Sequence, residues 1–500
     1  MSHESSGLAM GPWPANPVVH EIFTWVWLAD LATSAGRPVT LADVPDSAWD
    51  DIARPGIDAV WLMGVWERSP EGARIASTNP LMRGDAERAL PGLVDADIVG
   101  SAYCVRGYEV DPHLGGDEGL AVARTKLAER GTRLVLDFVP NHVAPDHEWA
   151  RTHPEYFVRG TADDLARDPA SFIDVEGNIL ACGRDPYFPA WPEVVQFDAS
   201  RADVRRAVTQ VVAGIADRCD GVRCDMAMLM LDDVFARTWG DRATGPDDDR
   251  GYWRPLIEST RATHPDFVFW AEAYWDLEPV LVQQGFDACY DKRLYDRMVH
   301  REPASSIRAH LGADVGYQRH MLRFVENHDE PRAASVFDRP AHQAAVASVM
   351  TLPGVALLHE GEADGRRLRT PVTLGRRAVE ETDGELRSFV DRLMRAVSGG
   401  LRRGTWQLVP IDGWPDNQSA ERLMAWTWEH PDQRHLVVVN PSDARADGMV
   451  RPPWTELAGP CTLADLLSGA VFERDGSEIA ADGLYVALDP DGIHLLRLNA

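Results

Sequence analysis

The sequence is long, acidic and of globular composition. Its 500 residues exceed the roughly 100 to 200 residues of one ordinary domain, and 45% hydrophobic with 26% charged residues exclude a disordered or fibrous chain. The excess of 78 acidic over 50 basic residues gives a net charge of −28, which would repel the phosphates of nucleic acids and anionic lipid headgroups. A neutral partner such as a sugar is compatible with this charge.

Neither the N-terminal segment nor the cysteines indicate export. Residues 1–17 lack a basic segment followed by an apolar one, and no later run approaches the ~18 apolar residues of a membrane span. The six cysteines are scattered and form no CxxC pair, which favours reduced thiols. We therefore expect a cytoplasmic protein without nucleic-acid or membrane partners, and its oligomeric state stays open.

Eight short β-rich runs that end in polar residues alternate with helix-compatible stretches. The runs cover residues 18–27, 57–63, 133–142, 221–226, 267–273, 286–291, 323–329 and 355–360. A helix is predicted between the third and fourth runs. Residues Arg201 to Cys219 place valine and isoleucine at helical spacing after Asp198-Ala199-Ser200, a typical start of a helix. Eight strands alternating with helices predict an α/β fold of the (β/α)₈ barrel type.

Two regions depart from this alternation. Residues 143–197 are rich in Gly, Pro, Asp and aromatic residues and too long for a simple connection, which predicts a small inserted subdomain after the third strand. After about residue 400, short strands with turn signals predict a C-terminal antiparallel β-sandwich. The predicted division is a barrel over 1–142 and 198–399, subdomain B over 143–197 and the sandwich over 400–500.

Titratable side chains collect at the predicted strand ends, where the active site of such a barrel lies. Arg223 and Asp225 end the fourth strand, Glu272 ends the fifth, and His328 and Asp329 end the seventh. Two carboxyl groups on neighbouring strands can lie about 5 to 5.5 Å apart, the spacing of a retaining glycosidase, with one as nucleophile and one as proton donor. Asp225 and Glu272 fit these two places.

The two carboxyl groups are expected to differ in proton affinity. Arg223 lies two residues before the proposed nucleophile, points to the same side of the strand, and would hold that carboxylate ionised by charge pairing. Glu272 is flanked by Trp270, Tyr274 and Trp275, whose bulk would desolvate it in part and raise its pKa. A raised pKa suits a general acid.

Four motifs in chain order resemble those of glycoside hydrolase family 13, the α-amylase family, across about residues 15 to 365. They are Asp137-Phe-Val-Pro-Asn-His142, Gly221-Val-Arg-Cys-Asp225, Trp270-Ala-Glu272 and Glu326-Asn-His-Asp329. The resemblance implies Asp225 as the nucleophile and Glu272 as the acid/base. It implies that Asp329 binds sugar hydroxyls and favours distortion of the ring.

The resemblance also implies a set of substrate-binding residues. His142 and His328 would hydrogen-bond hydroxyls of the sugar at the cleaved bond, Tyr103 would stack on that sugar, and Arg223 would orient the nucleophile. The segment from His328 to Arg332 resembles the α-glucosidase form of the fourth motif, and on this likeness Arg332 joins the set.

The chain departs from the family pattern after the nucleophile. Where α-amylases carry Lys and then His, whose carbonyl binds calcium and which belongs to the acceptor side, this chain has Met228 and Leu229. Asn141 alone does not make a site of six to eight oxygens. We therefore expect no metal and no cofactor, with a structural calcium weakly supported. Cys104 stands where several exo-acting members carry Asp.

Some residues have a structural interpretation beside the functional one. Asp137 is expected to be a structural carboxylate at a strand end and is left out of the catalytic set. The aromatic group from Tyr187 to Trp191 fits sugar stacking and core packing of the inserted subdomain equally well.

The leading hypothesis is a retaining α-glycosidase that cleaves α-glucosidic bonds of oligosaccharides or disaccharides through a covalent intermediate on Asp225. A first alternative passes the same intermediate to a sugar acceptor, as in an α-glucanotransferase or disaccharide isomerase. A second is a non-catalytic carbohydrate-binding protein on the same fold. Linkage, chain length, and endo or exo action stay open.

Overall fold

A computed structural model describes residues 11–244 and 251–499, so residues 1–10 of the predicted barrel domain lie outside it. Eight parallel strands form a closed barrel: β1 Val18–Phe23, β2 Ala59–Met63, β3 Arg133–Phe138, β4 Gly221–Cys224, β5 Val268–Ala271, β6 Ala288–Tyr290, β7 Met321–Arg323 and β8 Val355–His359. Each strand pairs with its neighbours in the sequence, and β1 pairs with β8 to close the ring. The predicted (β/α)₈ barrel is confirmed.

Helices follow most of the barrel strands. The helices of the described residues are Thr24–Ala35, Asp46–Ile52, Pro70–Thr78, Pro80–Ala89, Gly116–Ala128, Glu148–Thr152, Ala162–Arg167, Ala202–Ala216, Asp232–Trp239, Trp253–Thr263, Glu278–Gln284, Lys292–Val299, Ala304–Leu311, Val315–Arg319, Ala333–Val336, Arg339–Thr351, Gly384–Ser398 and Gly476–Asp482. None of the helices in these ranges is long and apolar enough to cross a bilayer.

The helix expected over Arg201–Cys219 covers Ala202–Ala216 and buries its apolar face, including Val204, Val208 and Val212. The residues expected to start the helix, Asp198-Ala199-Ser200, act in the loop before it. Asp198 does not cap the helix; its carboxylate accepts hydrogen bonds from Ser200 and Thr244 and so fixes the preceding loop.

Several strands are shorter than the sequence runs, and the first and seventh runs differ most from their strands. The first run was expected to continue to Trp27, but β1 ends at Phe23 and a helix begins at Thr24, whose first turns are buried. The seventh strand ends at Arg323, so residues 324–329 lie beyond it as a loop at the mouth of the barrel. Aromatic and β-branched residues in both stretches are buried by packing and not by strand pairing.

The segment between β3 and the next barrel helix forms its own sheet. Its strands are His142–Val143, Phe172–Val175, Asn178–Gly183 and Trp191–Gln196, paired antiparallel in the order first, fourth, third, second. The sheet starts directly after β3 and therefore lies beside the carboxyl ends of the barrel strands. We propose on this ground that residues 143–197 form the inserted subdomain.

Two antiparallel sheets follow the barrel. The larger contains Thr405–Leu408, Met424–His430, Gln433–Val439, Pro460–Asp465, Val471–Asp475 and Ile493–Asn499; the smaller contains Ile411–Asp412, Ala446–Val450 and Leu484–Leu488. A further two-stranded antiparallel sheet, Trp66–Arg68 with Val105–Val110, lies outside both. Side chains from both sheets, such as Leu436 and Val486, share one buried core, as expected for a sandwich.

Candidate active site

Asp225 and Glu272 directly follow two neighbouring barrel strands. β4 pairs with β5 in the register Arg223↔Trp270 and Cys224↔Ala271, and the Glu272 N–H donates to the Cys224 carbonyl at 3.0 Å. Parallel pairing therefore brings both carboxyl groups to the same end of the barrel. Their side chains are only 9% and 4% exposed, so both are largely removed from bulk water.

One guanidinium joins the two carboxyl groups. Arg223 is fully buried; its Nη1 donates to Asp225 Oδ1 at 2.6 Å and its Nη2 lies 2.7 Å from Glu272 Oε2. Nε donates to the Tyr290 hydroxyl on β6 at 3.2 Å. Because both oxygens contact one guanidinium, the carboxylates lie closer than the about 9.5 Å of the widest glycosidase pairs.

Glu272 is held by hydrogen bonds from two further groups. The Tyr274 hydroxyl donates to Oε1 at 2.8 Å, and the Met226 N–H donates to Oε2 at 2.6 Å. Met226 has φ +43°, a left-handed conformation that non-glycine residues rarely adopt, and this turn aims its N–H at the carboxylate. Burial raises the pKa of Glu272 to about 7, against the opposing charge of Arg223. Such a group can donate a proton near neutral pH.

The electrostatics of Asp225 differ from the expectation. The predicted contact with Arg223 is present, but burial outweighs it, and the charges of Asp329 and Asp137 add to the effect, so the pKa of Asp225 is raised. Arg223 opposes this rise. Ionisation of Asp225 therefore depends on the Arg223 guanidinium, which also contacts the Glu272 carboxyl group.

His328 lies at the centre of a second group of site residues. Its Nδ1 lies 2.5 Å from Glu21 Oε1, and its Nε2 lies 2.8 Å from the Tyr103 hydroxyl and 3.0 Å from Asp329 Oδ2. The Tyr103 ring also stacks on the imidazole at 5.2 Å. Burial would lower the pKa of His328, but Asp329 and Glu21 raise it to about 10, so the ring is positively charged at neutral pH.

Asp329 differs from the two strand-end carboxyl groups in its exposure. Its side chain is 44% exposed, so solvent reaches Asp329 while Asp225 and Glu272 are largely buried. Partial removal of Asp329 from water opposes its ionisation, but the positive charges of His328, Arg223 and Arg369 hold its pKa below the ordinary range. A permanently ionised, accessible carboxylate is suited to accept hydrogen bonds from hydroxyl groups.

Three residues that sequence reasoning did not assign complete the site: Glu21, Tyr274 as a hydrogen-bond donor, and Tyr290. Glu21 could have been recognised from the sequence, because it is a charged residue within the apolar run of β1. The structure buries it completely. A buried carboxylate requires a partner, and that partner is His328.

His142 and Asn141, the single candidate calcium ligand, both have protein partners. His142 lies buried against Trp191 at a ring separation of 5.3 Å, and burial lowers its pKa to about 4, so it is neutral. The Gln196 side-chain amide donates to both oxygens of Asn141, at 2.8 and 2.9 Å. An N–H donor beside Asn141 does not fit a cation, which requires oxygen ligands.

Arg332 has buried protein partners in place of the predicted substrate contact. Its Nη1 donates to Glu326 Oε1 at 2.6 Å and to the Glu360 carbonyl at 2.7 Å, and lies 2.9 Å from His359 Nδ1. Glu326, buried after β7, needs this positive charge. We therefore assign Arg332 a structural role.

Asp137 and Cys104 also have structural contacts. Asp137 accepts hydrogen bonds from the Trp61 indole at 3.1 Å and the Gly64 N–H at 2.8 Å, as expected for a carboxylate that ties strand ends together. Cys104 is fully buried and its thiol donates to the Glu193 carbonyl at 3.0 Å.

The comparisons with known proteins agree with this geometry. Residues 49–279 match the family model for the alpha-amylase catalytic domain. The chain is 26% identical to alpha-amylase MalA of Haloarcula japonica over 399 residues, 77% of this chain and 49% of the relative. It is 23% identical over 229 residues to an alpha-1,4-glucan:maltose-1-phosphate maltosyltransferase of Arcanobacterium haemolyticum, 45% of this chain and 27% of the relative.

This chain thus spans about half the length of the first of these relatives and about a quarter of the second. Among solved structures, the maltogenic alpha-amylase AmyB of Thermotoga neapolitana superposes with a TM-score of 0.68 at 18% identity, covering 97% of this chain and 99% of that one. That likeness concerns the fold, whereas the matched family model covers strands β2 to β5, with Asp225 and Glu272. Over residues 49–279, the part that contains both carboxyl groups, the chain belongs to the α-amylase family, glycoside hydrolase family 13.

Proposed function

We propose that this chain is a retaining α-glycosidase that acts on α-glucosidic bonds of oligosaccharides or disaccharides. The observation that carries the proposal is the buried pair of Asp225 and Glu272, joined by Arg223 at 2.6 and 2.7 Å. Two carboxyl groups at the ends of adjacent strands are the groups that double-displacement glycoside hydrolysis needs, one as nucleophile and one as proton donor. Substrates of this kind are also consistent with the names of the relatives.

In the first step, Asp225 attacks the anomeric carbon and forms a glycosyl ester while the glycosidic C–O bond breaks. Glu272 gives its proton to the departing oxygen, a transfer for which a pKa of about 7 is suited. In the second step, Glu272 as carboxylate takes a proton from water, and the resulting hydroxide oxygen displaces Asp225. Two inversions leave the product with the α configuration of the substrate.

The remaining site residues would surround the sugar at the cleaved bond. Asp329 is accessible and ionised, and would accept hydrogen bonds from ring hydroxyls in the distorted ring of the transition state. The charged His328 would donate to a hydroxyl, the neutral His142 would donate to or accept from one, and Tyr103 would stack on the ring. The stacked, hydrogen-bonded pair of Tyr103 and His328 is held rigid by Glu21 beneath it.

A second candidate is transfer of the glycosyl group to a sugar acceptor. The same intermediate is formed, and a sugar hydroxyl takes the place of water in the second step. The change to Met228 and Leu229, both buried where the family resemblance implies acceptor-side polar groups, leaves this alternative open, and one relative is named as a maltosyltransferase. The non-catalytic alternative has less support, because both carboxyl groups are present and joined by Arg223.

The test compares Asp225→Asn with the wild type. The variant should lose turnover by at least about 10³-fold on every substrate that the parent cleaves, with its fold intact by circular dichroism. Asp266→Asn, an exposed carboxylate just before β5 at the opposite end of the barrel, is the matched control and should keep activity. Near-parental activity of Asp225→Asn would refute the proposal.

A substrate panel defines the bond that is cleaved and separates hydrolysis from transfer. The panel holds α-1,4- and α-1,6-linked oligosaccharides, trehalose and sucrose, with products identified by chromatography in the presence and absence of added sugar acceptor. New glycosides that appear only with acceptor would establish transfer; free sugar in both conditions would establish hydrolysis.

A further inference from the structure

The guanidinium of Arg223 has a third polar partner besides the two carboxyl groups of the site. Its Nε donates to the hydroxyl of Tyr290 at 3.2 Å, while its Nη1 and Nη2 face Asp225 and Glu272 at 2.6 and 2.7 Å. The three nitrogens of a planar, rigid group are thus directed at three different partners. The direction of the two contacts with the carboxyl groups therefore depends on the contact at Nε.

The barrel holds the Tyr290 hydroxyl in a fixed place. Tyr290 is the last residue of β6 and is fully buried. Because β5 lies between β4 and β6, the tyrosine side chain reaches across one strand to the guanidinium of Arg223. Its ring packs edge to face with Phe324, with the centroids 5.1 Å apart. This packing restricts the ring and so fixes the position of the hydroxyl.

Aromatic rings surround the guanidinium of Arg223. Its Cζ lies 5.4 Å from the ring centroid of Trp61 and 5.3 Å from that of Tyr103, within the range of cation–π contacts. A ring face attracts the cation but does not fix how the planar group is rotated, whereas a hydrogen bond at Nε does. The Arg223 side chain is 0% exposed, so the Tyr290 hydroxyl supplies an acceptor that bulk water does not reach.

Loss of the Tyr290 hydroxyl would leave the buried Nε–H of Arg223 without this acceptor. Burial of an unpaired donor is unfavourable, so the guanidinium should turn until Nε finds another oxygen. Nε and Nη2 lie along one edge of the guanidinium and match the two oxygens of a carboxylate, and Nη2 already lies beside Glu272. We expect the turned group to pair with Glu272 through both nitrogens and to draw Nη1 away from Asp225.

Other charged groups also face this guanidinium. Glu21 on β1, Asp137 on β3 and Asp329 after β7 are each influenced by its positive charge. They would experience nearly the same charge after a small rotation, because Coulomb attraction depends on distance and not on the direction of a hydrogen bond. The rotation should therefore act mainly on Asp225 and Glu272.

We propose that Tyr290 is a positioning residue, whose hydroxyl orients the Arg223 guanidinium so that it is shared between Asp225 and Glu272. Tyr290 acts through the guanidinium and takes no part in breaking the bond. The inference rests on the proposed function, because it concerns how one cation keeps the nucleophile ionised while the neighbouring acid retains its proton.

The pH profile of kcat/KM, measured on the full-length protein with the saccharide that it cleaves best, tests this role. Tyr290→Phe removes the hydroxyl and keeps the ring, so the fold should stay intact by circular dichroism. Asp225 would lose an N–H donor and Glu272 would gain one, which raises the pKa of the first and lowers that of the second. The acid limb should move to higher pH and the basic limb to lower pH, narrowing the profile by about one unit or more.

The shape of the profile separates positioning from a merely structural effect. A fall of kcat/KM at every pH with both limbs in place would overturn the proposal, because destabilisation lowers activity without moving either limb. Tyr252→Phe is the matched control, since Tyr252 is a buried tyrosine whose hydroxyl forms no hydrogen bond within the described residues. Both limbs should stay in place in this variant.

A double-mutant cycle tests whether Tyr290 acts through Arg223. Arg223→Lys keeps the positive charge but removes the planar group and its Nε–H. With α-glucosyl fluoride as substrate, Tyr290→Phe should lower kcat/KM by about tenfold or more in the wild type, and by less than about twofold in the Arg223→Lys background. Equal factors in the two backgrounds would overturn the proposal, because they would mean that the hydroxyl acts independently of the guanidinium.

The outcomes also separate this inference from the proposed function. If Asp225→Asn is inactive on the fluoride while Tyr290→Phe behaves as Tyr252→Phe does, the positioning role fails and the proposed function stands. If Asp225→Asn remains active, the proposed function itself fails.

Discussion

Nη2 of Arg223 lies 2.7 Å from Oε2 of Glu272, so the guanidinium that contacts one carboxyl group of the site also contacts the other. A single positive charge between two buried carboxyl groups favours ionisation of both. The site nevertheless needs Glu272 protonated at the start of the reaction and Asp225 ionised. Burial raises the pKa of Glu272 to about 7, so near neutral pH this carboxyl group can hold the proton that it must donate.

The first prediction concerns this shared charge. Arg223→Met removes the cation from two buried carboxyl groups, so the pKa values of Asp225 and Glu272 should both rise. Because the nucleophile must be ionised, kcat/KM at pH 7 should fall by at least about 10²-fold, and the acid limb of its pH profile should move to higher pH. Arg323→Met, which removes another buried arginine paired with Asp291, is the control for general destabilisation. An acid limb that stays in place would contradict this account of Arg223.

The second prediction concerns Tyr274. Its hydroxyl donates to Glu272 Oε1 at 2.8 Å and so favours the ionised carboxylate. Tyr274→Phe should raise the pKa of Glu272 and move the basic limb of kcat/KM, which the wild type should show near pH 7, upward by about one unit or less. A pH profile with a finely sampled basic limb measures this. A downward shift would show that the tyrosine stabilises the protonated acid instead.

The third prediction concerns Glu21 and the stability of the fold. His328 has a pKa of about 10 in the folded protein against about 6.5 unfolded, so its stabilising contribution is complete below about pH 6.5 and is lost as pH rises through 10. Glu21→Gln removes one of the two carboxylates that raise this pKa. The free energy of unfolding should therefore fall less steeply between pH 6.5 and 10 in the variant than in the wild type.

Urea denaturation at pH 6.5, 8 and 9.5 measures this difference. The gap between wild type and Glu21→Gln should be largest at pH 6.5 and shrink toward pH 9.5. A gap that is constant across the three conditions would mean that Glu21 acts by packing alone. Asp266→Asn, exposed and remote from the site, should show no such trend.

The positions of the barrel strands could be predicted because each strand overlaps a short apolar run that ends in polar residues. All eight runs overlap a strand of the barrel. The end of the first run could not be predicted, because Thr24 to Trp27 are as apolar as β1 itself and only packing decides between strand and helix. Pairing of β4 with β5 brought Asp225 and Glu272 together as expected.

The partners of these residues were harder to predict. Glu21 and His328 are 307 positions apart in the chain and meet only because β1 pairs with β8 and closes the barrel. Tyr290 on β6 contacts Arg223 on β4, with β5 between the two strands. The motif around Arg332 indicated a functional residue, but it did not show where the side chain points. The guanidinium pairs with the buried Glu326 instead. Local sequence shows which residue types are present, whereas closure of the barrel decides which of them touch.

The fourth prediction concerns calcium. Because the Gln196 amide donates to both oxygens of Asn141, we expect no calcium to bind there. Treatment with EDTA, and addition of calcium afterwards, should leave Tm and activity unchanged. A site filled at a thousand times its Kd would add about 4 kcal/mol to the free energy of unfolding, which such a melting experiment detects readily. A rise in Tm with calcium that EDTA reverses would contradict the expectation.

The most direct test of the central claim, that Asp225 forms the covalent bond and Glu272 moves the proton, is the configuration of azide products. Asp225→Ala and Glu272→Ala are each incubated with α-glucosyl fluoride and sodium azide, and the products are analysed by NMR. Without its nucleophile, Asp225→Ala should yield β-glucosyl azide by a single inversion. Glu272→Ala still forms the intermediate and should yield α-glucosyl azide by two inversions. The opposite assignment of anomers, or the same anomer from both variants, would contradict the account.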